Sequence, residues 1–153
     1  MQIFRRRVIR AQPSAIWDAI SSVESLPQWM PGVLSAEHLG GPKTGTRRVQ
    51  RVRKVLYRRE VEIEQEVVWW EPESILSVRH VRETLGGREL RGLQDFVMTI
   101  TIAPHDAGSR VVAQYAWHTR GFLPWLFSLL FAGRTMGREL RDTLAKIQKL
   151  ATG

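Results

Sequence analysis

Cysteine is absent from this 153-residue chain. That excludes a disulfide framework, a thiolate nucleophile and any cysteine metal site. Histidine is sparse, and His38, His80, His105 and His118 show neither HxH nor HExxH spacing, so no metal motif is present. No GxSxG, Walker or GxGxxG signature occurs. Gly86-Gly87 reads as a hairpin turn, not a phosphate loop. Long apolar runs are lacking too. The longest stretch, Gly121 to Gly133, is interrupted by Ser128 and is too short to span a bilayer. The basic N-terminus is not followed by the apolar core of a signal peptide. A soluble, cytoplasmic protein is expected, with neither metal nor cofactor. The length fits one domain, residues 1–153, large enough to bury a core without staples.

The formal net charge is +8, which invites a nucleic-acid reading. Its distribution argues otherwise. Residues 1–59 carry twelve Lys/Arg and three acids, residues 60–73 carry six Glu and no base, and the rest carries eleven bases and six acids. The basic and acidic blocks are adjacent and both look like strands. As hairpin partners they would pair much of their charge across a solvent-facing ladder. With Arg53 opposite Glu60, antiparallel register sets Arg51 opposite Glu62 and Arg47 opposite Glu66. It also sends Arg48 and Gln50 inward beside Gln65. A nucleic-acid partner is therefore not expected. An interaction role through the basic face, with Arg134, Arg138 and Arg141 as a stripe, remains a third alternative.

The order of elements carries the fold. Ile3 to Arg10 reads as a strand that stops at Gln12-Pro13. Pro13 to Val23 reads as a helix with Pro in its first turn and a stripe of Ile16, Ala19, Ile20 and Val23. Leu26 to Pro31 is a short turn or helix carrying Trp29 and Met30. Strands follow at Val33–Leu39, Thr46–Val55, Tyr57–Trp70, Ser74–Glu83, Leu93–Ala103 and Arg110–Thr119. The clearest period-2 signal sets Val61, Ile63, Val67 and Trp69 against Glu60, Glu62, Glu64 and Glu66. Leu123 to Leu150 reads as one long helix with a stripe at Leu126, Leu130, Gly133, Met136, Leu140, Leu144 and Ile147. The expected class is α+β, a curved antiparallel sheet wrapped around the C-terminal helix, with short helices after the first strand. One helix cannot fill a concave sheet, so an apolar pocket is expected between them.

Several motifs resemble a known family. Pro13-Ser14-Ala15-Ile16-Trp17-Asp18-Ala19-Ile20 and Leu26-Pro27-Gln28-Trp29-Met30-Pro31-Gly32-Val33 resemble the opening of polyketide cyclase/dehydrase proteins of the START-like SRPBCC superfamily. Trp69-Trp70-Glu71-Pro72 resembles the central hairpin, and Gly108-Ser109-Arg110-Val111-Val112 the closing pattern. The resemblance covers nearly the whole chain and implies the helix-grip fold. The superfamily holds cyclases, carriers and receptors, so it does not by itself choose an activity.

The candidate residues follow from strand parity. Val61, Ile63, Gln65, Val67, Val78, His80, Phe96, Met98, Ile100, Tyr115 and Trp117 are expected toward the pocket, with Trp29, Leu126 and Leu130 from the helices. A neutral His80 there would serve as acid or base on a carbonyl ligand, or as a hydrogen-bonded wall residue. Arg82 shares its parity and would clamp a carboxylate or enolate, unless it is a surface arginine. Tyr115 would present a phenol or simply pack. Gln65 must find a polar partner. Trp125, Phe127 and Phe131 leave the helix start apolar nearly all round. The resemblance implies a portal or lid there, and transient membrane contact is one use of it; coverage by the loop after Trp29 is the alternative. The expected function is binding of a small hydrophobic ligand, polyketide-, lipid- or quinone-like. The alternative is a cyclase or dehydratase using His80, Tyr115 and Arg82.

Overall fold

The structure, a computed structural model, describes residues 1–90 and 94–153. The chain runs β1 (Gln2–Ile9), α1 (Pro13–Ile20), a 3₁₀ turn (Val23–Ser25), α2 (Leu26–Trp29), β2 (Val33–Gly40), β3 (Val49–Leu56), β4 (Arg59–Glu71) and β5 (Ile75–Leu85). It continues through β6 (Arg88–Glu89), β7 (Gln94–His105), β8 (Gly108–His118), α3 (Phe122–Phe127), a π turn (Ser128–Ala132) and α4 (Gly133–Thr152). The expected start of β7 at Leu93 lies outside the described residues. The strands form one antiparallel sheet in the order β1-β8-β7-β5-β4-β3-β2, with the short β6 paired to β5. It curves around α4, as the order of elements anticipates, and has the helix-grip architecture that the family resemblance implies.

Local chemistry explains the breaks. Pro13 opens α1 from an extended Gln12, and the helix stops at Ile20 rather than Val23. Ser22 ends it by capping the next turn, its Oγ accepting from the Ser25 N–H at 3.2 Å. Gly108 turns β7 into β8 at φ +137°, where a Cβ would sit 2.4 Å from the Ile9 carbonyl oxygen. Only glycine admits that approach. The neighbouring Ser109 hydroxyl donates to the Ala11 carbonyl at 2.6 Å, tying the turn to the β1–α1 corner.

The β3–β4 hairpin corrects the expected register. Tyr57 is not in a strand. Tyr57 and Arg58, at φ 49° and 65°, form the whole two-residue turn between Leu56 and Arg59. Arg53 therefore stands opposite Glu62 and Arg51 opposite Glu64. The slip is two residues, so the faces are unchanged. Arg53 still reaches Glu60 diagonally, and Arg51 lies 3.5 Å from Glu64 and 2.8 Å from Glu37 on β2. Arg47 precedes the strand and is exposed. Such exposed pairs each stabilise by at most about 1 kcal/mol.

The C-terminal helix also departs from expectation. Leu140, Leu144 and Ile147 are buried as the stripe requires. Toward the N-terminal end the π turn adds a residue to the helical repeat and shifts its phase. Ser128 and Ala132 face inward in place of Leu126 and Leu130; Leu126 is only half-buried and Leu130 is 55% exposed. α4 packs on β1, β8, α1 and α2. The core lies between these elements and includes Ile9, Ile16, Ile20, Leu26 and Trp29.

Candidate functional site

A cavity of about 330 Å³ lies between the sheet and the C-terminal helices. That is near the lower end for small-molecule sites. Its apolar wall includes Val52, Ile63, Phe96, Met98, Ala132 and Met136. Tyr57 and Phe127 line it while being 79% and 57% exposed, and so mark where it opens.

Strand parity places several expected residues on this wall: Ile63, Gln65, His80, Phe96, Met98 and Tyr115. Trp29, Val61, Val67, Val78, Ile100 and Trp117 are buried but do not line the cavity. Trp29 is packed among the α1–α2 core residues, its indole N–H directed at Ser25 Oγ at 3.4 Å. Trp117 Nε1 is directed at Ser128 Oγ at the same distance. Leu126 and Leu130 are turned away by the π turn.

Arg82 is a second correction. The pairing of β5 with β4 runs Gln65 to His80 and then Glu64 to Arg82, leaving Val81 as a bulge. One extra residue exchanges the faces beyond it. Arg82 is sent to solvent, and Glu83 enters the cavity in its place. His80 Nδ1 lies 2.6 Å from Glu83 Oε1, and the His80 ring sits 4.5 Å from Phe96, centroid to centroid. Nothing in the sequence pattern marks the bulge, so parity counted straight from His80 chose the wrong neighbour.

A separate polar cluster stands on the other side of Phe96, whose ring is 4.9 Å from Tyr115. Tyr115 donates its hydroxyl hydrogen to Glu139 Oε1 at 2.8 Å, and Lys54 Nζ is ion-paired with the same oxygen. Sequence reasoning missed both Lys54 and Glu139. Their signal was present: Lys54 shares the parity of Arg48 and Gln50, and Glu139 sits three residues after Met136 on the flank of the apolar stripe. Burial, reinforced by the Glu139 charge and hydrogen bond, pushes the Tyr115 phenol well above its ordinary range. The native protein thus keeps a proton that the unfolded chain releases near pH 10. Stability from this group is complete below that pH and is lost as pH rises toward the folded value. Tyr115→Phe should therefore show a shallower loss of stability above about pH 10, measured by urea unfolding across the alkaline range.

Behind His80 lies a buried polar row. Arg48, Gln50 and Gln65 are all buried, as their inward parity required. Arg48 Nε donates to Gln50 Oε1 at 2.9 Å, and Gln50 Nε2 to Gln65 Oε1 at 2.9 Å. Arg48 Nη1 donates to the Ser21 carbonyl at 2.6 Å, and its guanidinium carbon lies 5.3 Å from the Trp70 ring. Burial lowers its pKa from the usual arginine value, opposed by Glu24. Among the described residues no group of His, Asp and Glu side chains is arranged to hold a metal ion.

The fold recurs in solved structures of low sequence identity. The Zhui aromatase/cyclase from Streptomyces sp. R1128 is 15% identical, with a TM-score of 0.77 over 99% of this chain and 93% of that one. Ginseng major latex-like protein 151 from Panax ginseng is 9% identical, with a TM-score of 0.79 over 100% and 98%. TTHA0849 from Thermus thermophilus is 16% identical, with a TM-score of 0.77 over 99% and 97%. No curated protein matches the chain by sequence. The family model for polyketide cyclase/dehydrase and lipid transport matches residues 1–152, and the chain belongs to that family.

Proposed function

We propose that the cavity binds one small ligand with an apolar body and polar substituents, of an aromatic polyketide-, lipid- or quinone-like class. One observation carries this reading. An apolar-walled space holds two distinct polar clusters, His80–Glu83 and Tyr115–Glu139–Lys54, with the Phe96 ring between them. Such sites take their affinity from apolar burial and their orientation from a few placed polar groups. The reading keeps the whole chain, 1–153, as one cytoplasmic binding domain. Native mass spectrometry of the purified protein should reveal a co-purifying small molecule of this class. His80→Ala should lower its affinity or leave it unchanged. An empty protein that also ignores a panel of aromatic and isoprenoid probes would refute the proposal.

A second reading is a cyclase or dehydratase, favoured by the same convergence of polar groups. His80 would take a proton from a carbon beside a carbonyl, with Glu83 holding the ring, and Tyr115 would turn its hydroxyl from Glu139 to donate to the carbonyl oxygen. Arg82, facing solvent, no longer has a part in it. A cyclised or dehydrated product that disappears in His80→Ala would place this reading first. For the basic-face alternative Arg134, Arg138 and Arg141 are exposed as it requires, but it also calls for no cavity, and Arg51 and Arg53 are paired with glutamates.

The opening of the cavity supports a contact with anionic lipid. Phe122, Leu123, Phe127, Leu129, Leu130 and Phe131 are all more than half exposed, and Trp125 is 42% exposed. No acidic residue occurs between His118 and Glu139, whereas Arg120, Arg134 and Arg138 flank the apolar segment. Aromatic side chains backed by arginine suit an anionic membrane surface. The apolar helix is far too short to cross one. Sedimentation with vesicles containing phosphatidylserine should exceed that with phosphatidylcholine alone, and Phe127→Ser/Phe131→Ser should weaken it. A concentration-dependent dimer that the same double variant abolishes, with no vesicle binding, would reassign the patch to a second copy.

A further inference from the structure

We propose that Arg48, Gln50 and Gln65 form a one-way hydrogen-bond relay that fixes the tautomer of His80, keeping its Nε2 an acceptor that a ligand hydroxyl can take over by parting Gln65 from His80. The second half of this proposal rests on the cavity being the ligand site.

The direction of the relay follows from its ends. A guanidinium has only donors. Arg48 Nε therefore fixes Gln50 with its oxygen toward the arginine, 2.9 Å away. The other arm of that amide is then a donor, and it faces Gln65 at 2.9 Å, so the Gln65 oxygen accepts. Gln65 Nε2 is left to donate, and it lies 3.3 Å from His80 Nε2. That imidazole nitrogen must carry a lone pair. The proton sits on Nδ1, 2.6 Å from the Glu83 carboxylate, which can only accept. Turning over both amides would meet the arginine with a donor and leave His80 facing an oxygen; turning over one opposes like groups at the junction between them. Gln50 and Gln65 are buried, where a mismatched pair is costly.

The sheet supplies the alignment. Gln50 stands directly opposite Gln65, and Gln65 opposite His80, so the relay crosses β3, β4 and β5 along one row. Arg48 lies two residues from Gln50, on the same face. These three residues position His80; none of them except Gln65 lines the cavity.

The last link has a further property. It is the longest of the relay, and both of its members line the cavity. A ligand hydroxyl inserted there accepts from Gln65 Nε2 and donates to His80 Nε2. An ether oxygen in the same place only accepts, so it would take the Gln65 N–H away from His80 Nε2 and give nothing back. A phenol or enol is therefore preferred over its methyl ether.

Nitrogen NMR of protein carrying ¹⁵N-labelled histidine tests the relay, with the His80 signals assigned by their loss in His80→Asn. For the neutral imidazole the expected spectrum shows a protonated Nδ1 and a bare Nε2. A proton on Nε2 overturns the proposal. Gln50→Glu does not touch His80 and keeps an acceptor for Arg48. Its carboxylate cannot donate to Gln65, however, so the Gln65 amide must turn and His80 Nε2 must gain a proton. An unchanged His80 signal in a folded Gln50→Glu protein would show that Glu83 alone sets the tautomer, and the relay would fall. If that variant does not fold, Gln65→Glu asks the same question, since Gln50 donates to the new carboxylate and His80 then faces an oxygen. Arg48→Lys, still donor-only, should keep the wild-type signature.

Titration calorimetry with 2-naphthol and 2-methoxynaphthalene tests the specificity. The naphthol should bind roughly ten- to a hundredfold more tightly, the effect of one buried polar group left unpaired. Equal affinities would overturn the hydroxyl preference while leaving the cavity as the ligand site. Binding of neither would count against the cavity itself, and the NMR result would still decide the relay.

Discussion

Trp29→Ala is expected to destabilise the protein by about 3–5 kcal/mol, and Phe96→Ala by clearly less. Both are large aromatic side chains, and both are buried. The difference lies in what surrounds them. Trp29 is fully buried and belongs to the core cluster with Ile16, Ile20, Leu26 and Met30. Truncation there removes apolar burial and opens a new void, and the two costs add. It also leaves Ser25 Oγ without the indole N–H that reaches it. Phe96 already has the cavity on one side. Its removal enlarges an existing space, and on that face the ring has no packed neighbour whose dispersion attraction would be forfeited. Urea unfolding of the two variants gives the comparison directly, with unchanged m-values as the check that both unfold from the same native state. Equal losses would mean that the space beside Phe96 is filled in solution. A Phe96→Ala protein that binds a larger aromatic probe than the wild type would agree with an enlarged pocket.

Gln50→Leu is expected to cost about 2–5 kcal/mol although it nearly preserves volume. The glutamine is fully buried and holds two partners at once, Arg48 Nε and Gln65 Oε1. A leucine strands both. A buried polar group left unpaired costs about 1–3 kcal/mol, and more when it is charged. Arg48 is the charged one, and its Nη2 already has no partner. Gln50→Glu should be much milder, because the carboxylate offers the guanidinium a counter-charge. A Gln50→Leu loss below about 1 kcal/mol would mean that water or a local rearrangement satisfies the stranded groups. The same pair of variants separates stability from site chemistry, since the milder Gln50→Glu is the one expected to move the His80 proton.

Much of the architecture was legible along the chain because it depends on periodicity. The alternation of Val61, Ile63, Gln65 and Val67 with glutamates, the Pro13 helix start and the apolar stripe Leu140–Leu144–Ile147 each state which face is buried. Antiparallel neighbours then bring Arg48, Gln50 and Gln65 to one face whether or not the register is off by two, because side-chain direction has period 2. The two-residue turn at Tyr57-Arg58 was missed, since neither residue is a glycine or asparagine, the usual occupants of positive φ.

The candidate site was decided mainly where regular periodicity breaks. A bulge at Val81 exchanges Arg82 for Glu83 as the companion of His80. A π turn at Ser128–Ala132 exchanges Leu126 and Leu130 for Ser128 and Ala132. Each is a single inserted residue whose presence depends on packing against neighbours, and no local pattern of residue types announces it. The fold class, the buried faces and the inward row of polar residues on β3 and β4 are all readable along the chain, because they follow from repeats of two and 3.6 residues. Which charged groups meet inside depends instead on how the elements pack: Glu83 beside His80, and Lys54 with Glu139 beside Tyr115. Those encounters join residues that are distant in sequence or displaced by an irregular turn. Their geometry comes from how the sheet curves around the helix, not from any residue's immediate neighbours.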